Sequence, residues 1–303
     1  MNSNLAIKCP KFDDAFSANE LMIRIPMDSK RDYGHPIDTK IIKVLDSPAI
    51  NAILKPVIEL IADYSQGQII AQSLPVNSKS FPEIDKLVNE CALTLGIKKP
   101  YVVIDNNTSF NAYTMGSDEE AFIVLGAPLV RVTSSQQLKF IIGHECGHIA
   151  MGHVMYHTLV SSTSIFIAHI PIIGNVLNSS AGMLLKAWSR RSEITADRAG
   201  LLCCEDLDAA KRSLLQLEAG FINADNLDID SYLENSRKFR KRSFLRRVGE
   251  YTAEHPMLSK RIEALEMFRN SEKYYKVTGT SVHGSTISDS ELENDIEKIL
   301  KVM

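Results

Sequence analysis

The sequence predicts an α+β fold, predominantly helical, with a small β-sheet beside one buried helix. Helical patterning recurs along most of the chain. Three short runs rich in β-branched and aromatic residues cluster between residues 101 and 125. A helical stretch from Ser134 or Ser135 to His157 carries Phe140, Ile141, Ile142, Ile149 and Ala150, as a helix enclosed by protein does. At 303 residues the chain can bury a sizeable core. Its 45% hydrophobic and 23% charged residues are those of a globular protein rather than a disordered one. A net charge of -3 gives no global attraction to nucleic acid. Five cysteines, at 9, 91, 146, 203 and 204, form an odd and unpatterned set that reads as free thiols in a reducing compartment. The first ten residues lack a basic segment followed by a long apolar one, so no secretory signal is read and a cytoplasmic location is expected.

In chain order, Ser47-Pro48 opens a helix towards Tyr64, with a kink or break expected at Pro56. Ile69 to Val76 reads as a short strand. Phe81-Pro82 starts a helix through Leu95 in which Ile84, Leu87, Val88, Cys91 and Leu95 share a face and Gly96 is the stop. Tyr101–Asp105, Phe110–Tyr113 and Phe122–Leu125 are the strand candidates, separated by polar turns. Ser134-Ser135 caps the next helix. Helical patterning returns from Leu184 to Gly220 and again from Pro256 to Phe268. Residues 276–290 are Ser/Thr/Gly-rich and read as loose, followed by a short amphipathic helix with Leu292, Ile296, Ile299 and Leu300. These patterns divide the chain into an N-terminal helical extension (1–68), a central domain (69–270) and a polar C-terminal tail (271–303).

Residues 158–185 contain no Asp, Glu, Lys or Arg. Their most apolar part, Ile165–Leu177, is shorter than the roughly 20 residues a spanning helix needs and carries His169, Pro171, Gly174 and Asn175. The segment reads as a buried or interfacial helical hairpin, with peripheral membrane contact as its alternative role.

His144-Glu145-Cys146-Gly147-His148 is an H-E-x-x-H pattern on the buried helix. At about 100° per residue, His148 lies about 40° from His144 and Glu145 about 100°, while Cys146 points away. Two imidazoles one turn apart can bind a tetrahedral zinc, and the carboxylate between them reaches a metal-bound water as general base. The extended metzincin pattern is excluded, because Met151 and Val154 stand where it needs glycine and histidine. His153 and His157 both lie on the far side of the helix from the ligand pair and read as surface or packing histidines. Glu193 is the better third ligand. It shares a helix face with Asp197, which can accept a proton from the far nitrogen of a ligand histidine.

H-E-C-G-H, then E-I-T-A-D-R-A-G, then His255-Pro256 with Arg261 six residues after that histidine, resembles the CAAX prenyl protease and HtpX family of zinc metallopeptidases. Asn111-Ala112-Tyr113 is similar to that family's Asn-Ala-Phe edge-strand motif. The resemblance covers about residues 70–268. It implies a zincin-like catalytic domain, one catalytic zinc, and hydrolysis of peptide bonds in protein or peptide substrates. It further implies His144, His148 and Glu193 as ligands, Glu145 as general base and Asp197 as the group orienting a ligand. His255 would stabilise the oxyanion with Arg261 beside it, and Asn111 and Ala112 would lie along the substrate strand. The family's best-known members cross the membrane several times; this chain has no convincing span, so a soluble or peripheral relative is expected.

Arg237, Lys238, Arg240, Lys241, Arg242, Arg246 and Arg247 form a basic run that reads as a solvated helix face, with no nucleic-acid motif beside it. The sequence therefore predicts a zinc-dependent endopeptidase. Its rival is a catalytically idle zinc-binding or membrane-associated module of the same fold. The oligomeric state is left open.

Overall fold

The computed structural model describes residues 32–45, 48–106, 110–116, 121–161, 180–220, 227–240, 258–282 and 284–300. His255, residues 162–179 of the apolar segment, and residues 241–247 of the basic run lie outside them. Among the described residues no helix is long and apolar enough to cross a membrane.

Helices α1 (Pro36–Leu45) and α2 (Pro48–Gln72) precede the sheet. Pro56 lies within α2, which continues past it instead of breaking, and the strand expected at 69–76 shrinks to β1 (Ser73–Pro75). Ile69 joins the helix because it packs there against Val103, Phe122 and Val124 on one face of the sheet, and such packing outweighs a β-branched residue's local preference. Helix α3 (Pro82–Leu95) starts behind Phe81 with proline in its first turn and is closed by Gly96 at φ 66°.

Strands β2 (Tyr101–Asp105), β3 (Ala112–Gly116) and β4 (Ala121–Gly126) join β1 in the order β1-β2-β4-β3. β2 and β4 run parallel, and β3 pairs antiparallel with β4. β3 is thus an edge strand. Its expected range, Phe110–Tyr113, slides forward because Ala112 pairs with Leu125 and Gly116 with Ala121. Val102, Ile104, Ile123 and Leu125 face the main core.

The predicted long helix from Ser134 to His157 is two helices. After the short α4 (Ala127–Val132), α5 (Ser135–Ala150) opens on a capping box. The Ser134 N–H donates to the Gln137 side chain at 2.7 Å, and the Gln137 N–H donates to Ser134 Oγ at 3.3 Å. It ends in a Schellman turn: Gly152, at φ 70°, donates to the carbonyl of Ile149, and the His153 N–H donates to that of His148 at 2.9 Å. Helix α6 (Val154–Ser161) then leaves in a new direction. The stretch 184–220 also divides, into α7 (Ser180–Cys204) and α8 (Leu207–Ala219), the latter capped by Asp206. Helices α9 (Ile229–Arg240), α10 (Leu258–Arg269), α11 (Glu272–Thr278) and α12 (Asp289–Leu300) follow. The Ser/Thr/Gly-rich stretch before α12 is held by bonds between Ile287 and the backbone of Asn270 and Glu272, and α12 buries Leu292 and Ile296.

Helix α7 is the central element, with Ser192 to Cys204 buried throughout. It meets α5 along a stripe of small residues. A Cβ added at Gly147 would fall 2.6 Å from the Ala199 Cβ, and one at Gly143 would fall 2.6 Å from the Cys203 Cβ. A Cβ at Gly200 would sit 2.8 Å from the Phe140 carbonyl oxygen. Glycine at these positions is what lets the two backbones approach so closely. Cys91, Cys146, Cys203 and Cys204 are buried free thiols packed into the same core.

Both flanks of the chain close over α7. Arg198, 1% exposed, donates to the Tyr33 carbonyl at 2.9 Å and to both carboxylate oxygens of Glu293 at 3.0–3.1 Å. Its guanidinium also lies 5.1 Å from the Phe268 ring centroid. His35 is buried against Glu293 and Glu297, and its Nδ1 accepts from the Ile37 N–H.

Replacing Gly147 by Ala is expected to destabilise the protein by about 1–3 kcal/mol through overpacking. Adding Ala199→Gly should return part of that loss, and urea denaturation of the single and double variants measures both. Burial, helped by the Arg198 charge, lowers the His35 pKa to about 4 against the opposing pull of Glu293 and Glu297. The unfolded chain binds this proton near pH 6.5, so the contribution of neutral His35 is intact above pH 6.5 and lost as the pH falls from there towards 4. A His35→Gln variant is expected to show a flatter loss of stability over that window.

Candidate metal centre

α5 presents His144, Glu145 and His148 towards α7, which presents Glu193 and Asp197 from one face. The Nε2 atoms of His144 and His148 are 3.2 Å apart. Glu193 Oε2 lies 3.6 Å from His144 Nε2, and its Oε1 lies 3.5 Å from His148 Nε2. Bonds of about 2.0–2.2 Å in a tetrahedral site set ligand atoms roughly 3.3–3.6 Å apart. The three groups therefore sit close to the edges of a metal tetrahedron.

The far nitrogen of His144 explains why its Nε2 offers a lone pair. His144 Nδ1 is 3.0 Å from Asp197 Oδ1, an acceptor, so the ring proton belongs on Nδ1. Asp197 is in turn gripped by Arg261 of α10, with Nε donating to Oδ2 at 2.8 Å and Nη2 to Oδ1 at 2.6 Å. Arg261 Nη1 also lies 3.3 Å from Glu193. Burial works against the Asp197 carboxylate, but the Arg261 guanidinium and the His144 bond hold its pKa below the ordinary carboxylate value. Burial would likewise push the His144 imidazole down; the bond to Asp197 and the charges of Glu193, Asp197 and Glu145 outweigh it and raise it. At His148 burial wins, aided by the charges of His144 and His153, and the pKa falls to about 3. A neutral imidazole is the form that binds metal. One guanidinium faces both Asp197 and Glu193, and Glu145 lies on the same helix as the two histidines, an acidic surrounding that suits a divalent cation.

Glu145 is 6% exposed, and the Thr114 hydroxyl of β3 donates to its Oε2 at 2.5 Å. Thr114 pairs with Ile123 and shares its core-facing side, so the edge strand and the H-E-x-x-H helix meet at this carboxylate. Ala112 lies buried at the start of β3, and the exposed Asn111 precedes it, its carbonyl accepting from the Gly126 N–H. His255 lies outside the described residues. Cys146 points away from the metal group, and burial raises its thiol pKa well above the usual value.

The reading of His153 and His157 as far-side histidines needs correction. The Schellman turn ends α5 and folds the chain back, so His153 Nδ1 comes 3.1 Å from His148 Nδ1, with His153 fully buried. His157, on α6, packs its ring 4.5 Å from that of His148 and bonds Ser192 Oγ at 2.7 Å. Gly152 was the available signal for a helix stop. Thr114 and Asp38 carried no signal, because each reaches the site from an element distant in sequence.

A buried H-E-x-x-H helix facing a carboxylate-bearing helix, with a mixed sheet alongside, is the architecture of a zincin-type metallopeptidase. The sequence profile described as Peptidase family M48 matches residues 78–269, well over half of the chain. The chain belongs to peptidase family M48, and it is a protease. It is 25% identical over 266 residues to Plastoglobule-localized metallopeptidase 48, chloroplastic, of Arabidopsis thaliana, covering 84% of this chain and 77% of that protein. Protease HtpX of Baumannia cicadellinicola is 25% identical over 234 residues, 66% of this chain and 76% of its own length. The Protease HtpX homolog of Thermoanaerobacter pseudethanolicus is 29% identical over 103 residues, and the match spans only 34% of that protein.

Replacing Arg261 by Met would leave Asp197 and Glu193 buried without their cation, at an expected cost of about 3–5 kcal/mol. Added zinc should restore part of this stability, since it compensates the same carboxylates. Thermal melts of the variant with and without zinc read both effects.

Proposed function

We propose that this chain is a zinc-dependent endopeptidase in which His144, His148 and Glu193 hold one zinc ion and Glu145 is the general base. The observation that carries this reading is the 3.2–3.6 Å spacing of three buried side-chain groups, two imidazole Nε2 atoms and the two oxygens of one carboxylate, that converge on one point. When bound, zinc would supply Lewis-acid polarisation and lower the pKa of water to about 7.

Glu145 takes the proton of the attacking water and passes it to the leaving amine, so no covalent intermediate with the protein forms. The Thr114 hydroxyl fixes the carboxylate that does this. Asp197 holds His144 by its Nδ1–H, and Arg261 holds Asp197; both are positioning residues. His255 is assigned the role of donor to the oxyanion developing on the substrate carbonyl. Asn111 and Ala112 lead into β3, where an extended peptide can add to the sheet edge, its backbone running past Glu145. The substrate is accordingly an unfolded or extended segment of protein.

The deciding experiment measures zinc content and cleavage of casein for the native chain and for Glu145→Gln. Glutamine keeps the three ligands and removes the base. One zinc per chain in both proteins, with cleavage reduced about 10²–10⁴-fold in the variant, is expected. Zinc in both with equal cleavage would remove Glu145 from its role. Zinc in both without cleavage by either would favour the idle zinc-binding module, and absence of zinc would end the proposal.

A further inference from the structure

His148 differs from His144 in what supports it. His144 leans directly on a carboxylate, whereas His148 Nδ1 meets a second imidazole, His153 Nδ1, at 3.1 Å. Behind that ring, His153 Nε2 lies 3.0 Å from Asp38 Oδ2, and both side chains are at most 1% exposed. Asp38 belongs to α1, outside the residues matched by the family profile. It is itself held in place by the Trp188 indole N–H, which donates to its Oδ1 at 2.7 Å.

With Asp38 ionised and both imidazoles neutral, these contacts favour one arrangement of protons. Asp38 Oδ1 accepts from Trp188, and its Oδ2 faces His153 Nε2 at 3.0 Å, so the carboxylate charge draws the His153 proton to Nε2. His153 Nδ1 is then an acceptor, and it requires a proton on His148 Nδ1. That leaves His148 Nε2, which faces His144 and Glu193, as a lone pair. We propose that Asp38 and His153 form a buried relay that fixes the tautomer and orientation of His148, which makes α1 a working part of the metal centre. The inference rests on reading His148 as a ligand. Asp38 and His153 are positioning residues here, and neither touches substrate.

The variant Asp38→Asn tests this because it inverts one donor. With Trp188 still donating to Oδ1, the new amide N–H faces His153 Nε2 and drives its proton to Nδ1. The two Nδ1 atoms can then no longer both be protonated, and His148 is pushed to the tautomer that blocks its metal-facing nitrogen. Zinc affinity, measured by chelator competition on the full chain, is expected to fall 10–100-fold while the circular dichroism spectrum is retained. Affinity within twofold of the native chain would overturn the relay.

A second measurement holds even if that variant fails to fold. ¹⁵N-histidine NMR of the native chain, with and without zinc, should show His153 protonated on Nε2 and His148 on Nδ1. A proton on His153 Nδ1 would overturn the proposal. So would a second equivalent of zinc that disappears in His153→Ala, because His148, His153 and His157 also lie close enough together to hold an ion. A native chain that binds no zinc would sink the proposed function while leaving the tautomers to be read separately.

Discussion

The arrangement of the whole molecule depends on how closely α5 and α7 can approach. Helices usually pack with their axes 8–10 Å apart, at a distance set by the side chains between them. Here Gly143 and Gly147 face Ala199, Cys203 and Gly200, so the helices sit near the short end of what backbones permit. That closeness brings a short carboxylate side chain, Glu193, within reach of two imidazoles on the opposite helix. A single added methyl at the crossing would separate the candidate metal-binding groups as well as strain the core. Stability and site geometry are one quantity at this crossing.

A second constraint follows from burying so much charge. Glu145, Glu193 and Asp197 are all buried on the two crossing helices. Removing carboxylates from water is costly unless their charge is met. Arg261 meets part of it, bridging Asp197 and Glu193 from a third helix, α10. Arg198, one residue beyond Asp197, points the other way and is met by Glu293, so adjacent side chains of α7 serve two separate ion-pair systems. The metal centre and the clamp that closes the two flanks of the chain are built on opposite sides of one helix.

Much of this was legible in the sequence where the signal was local. H-E-C-G-H placed three side chains on one helical face, and the four-residue spacing of Glu193 and Asp197 placed two more. Capping residues such as Ser134, and stops such as Gly96, marked helix ends within a residue or two. What could not be read depended on contacts between distant segments. Ile69 looks like strand until the sheet face it packs on is known. His153 looks remote from His148 when helical angles are continued through Gly152, and the error is one of a missed helix stop rather than of chemistry. Asp38 and Thr114 are ordinary polar residues in sequence; only the tertiary fold brings one to His153 and the other to Glu145.

The contacts of Arg198 also bear on the order in which the molecule can assemble. They join residues 165 positions apart on one side and 95 on the other. Closing loops of that length carries an entropic cost that must be met before the contacts give anything back, and folds governed by such contacts form slowly. The approach of Tyr33 and His35 to α7 also delivers Asp38 to His153. The crossing of the H-E-x-x-H helix with α7 closes shorter loops, since Gly143 meets Cys203 and Gly147 meets Ala199. For a protease this divides the site by loop length: the helix crossing is built from nearer segments, and the support of one histidine requires the most distant parts of the chain to meet.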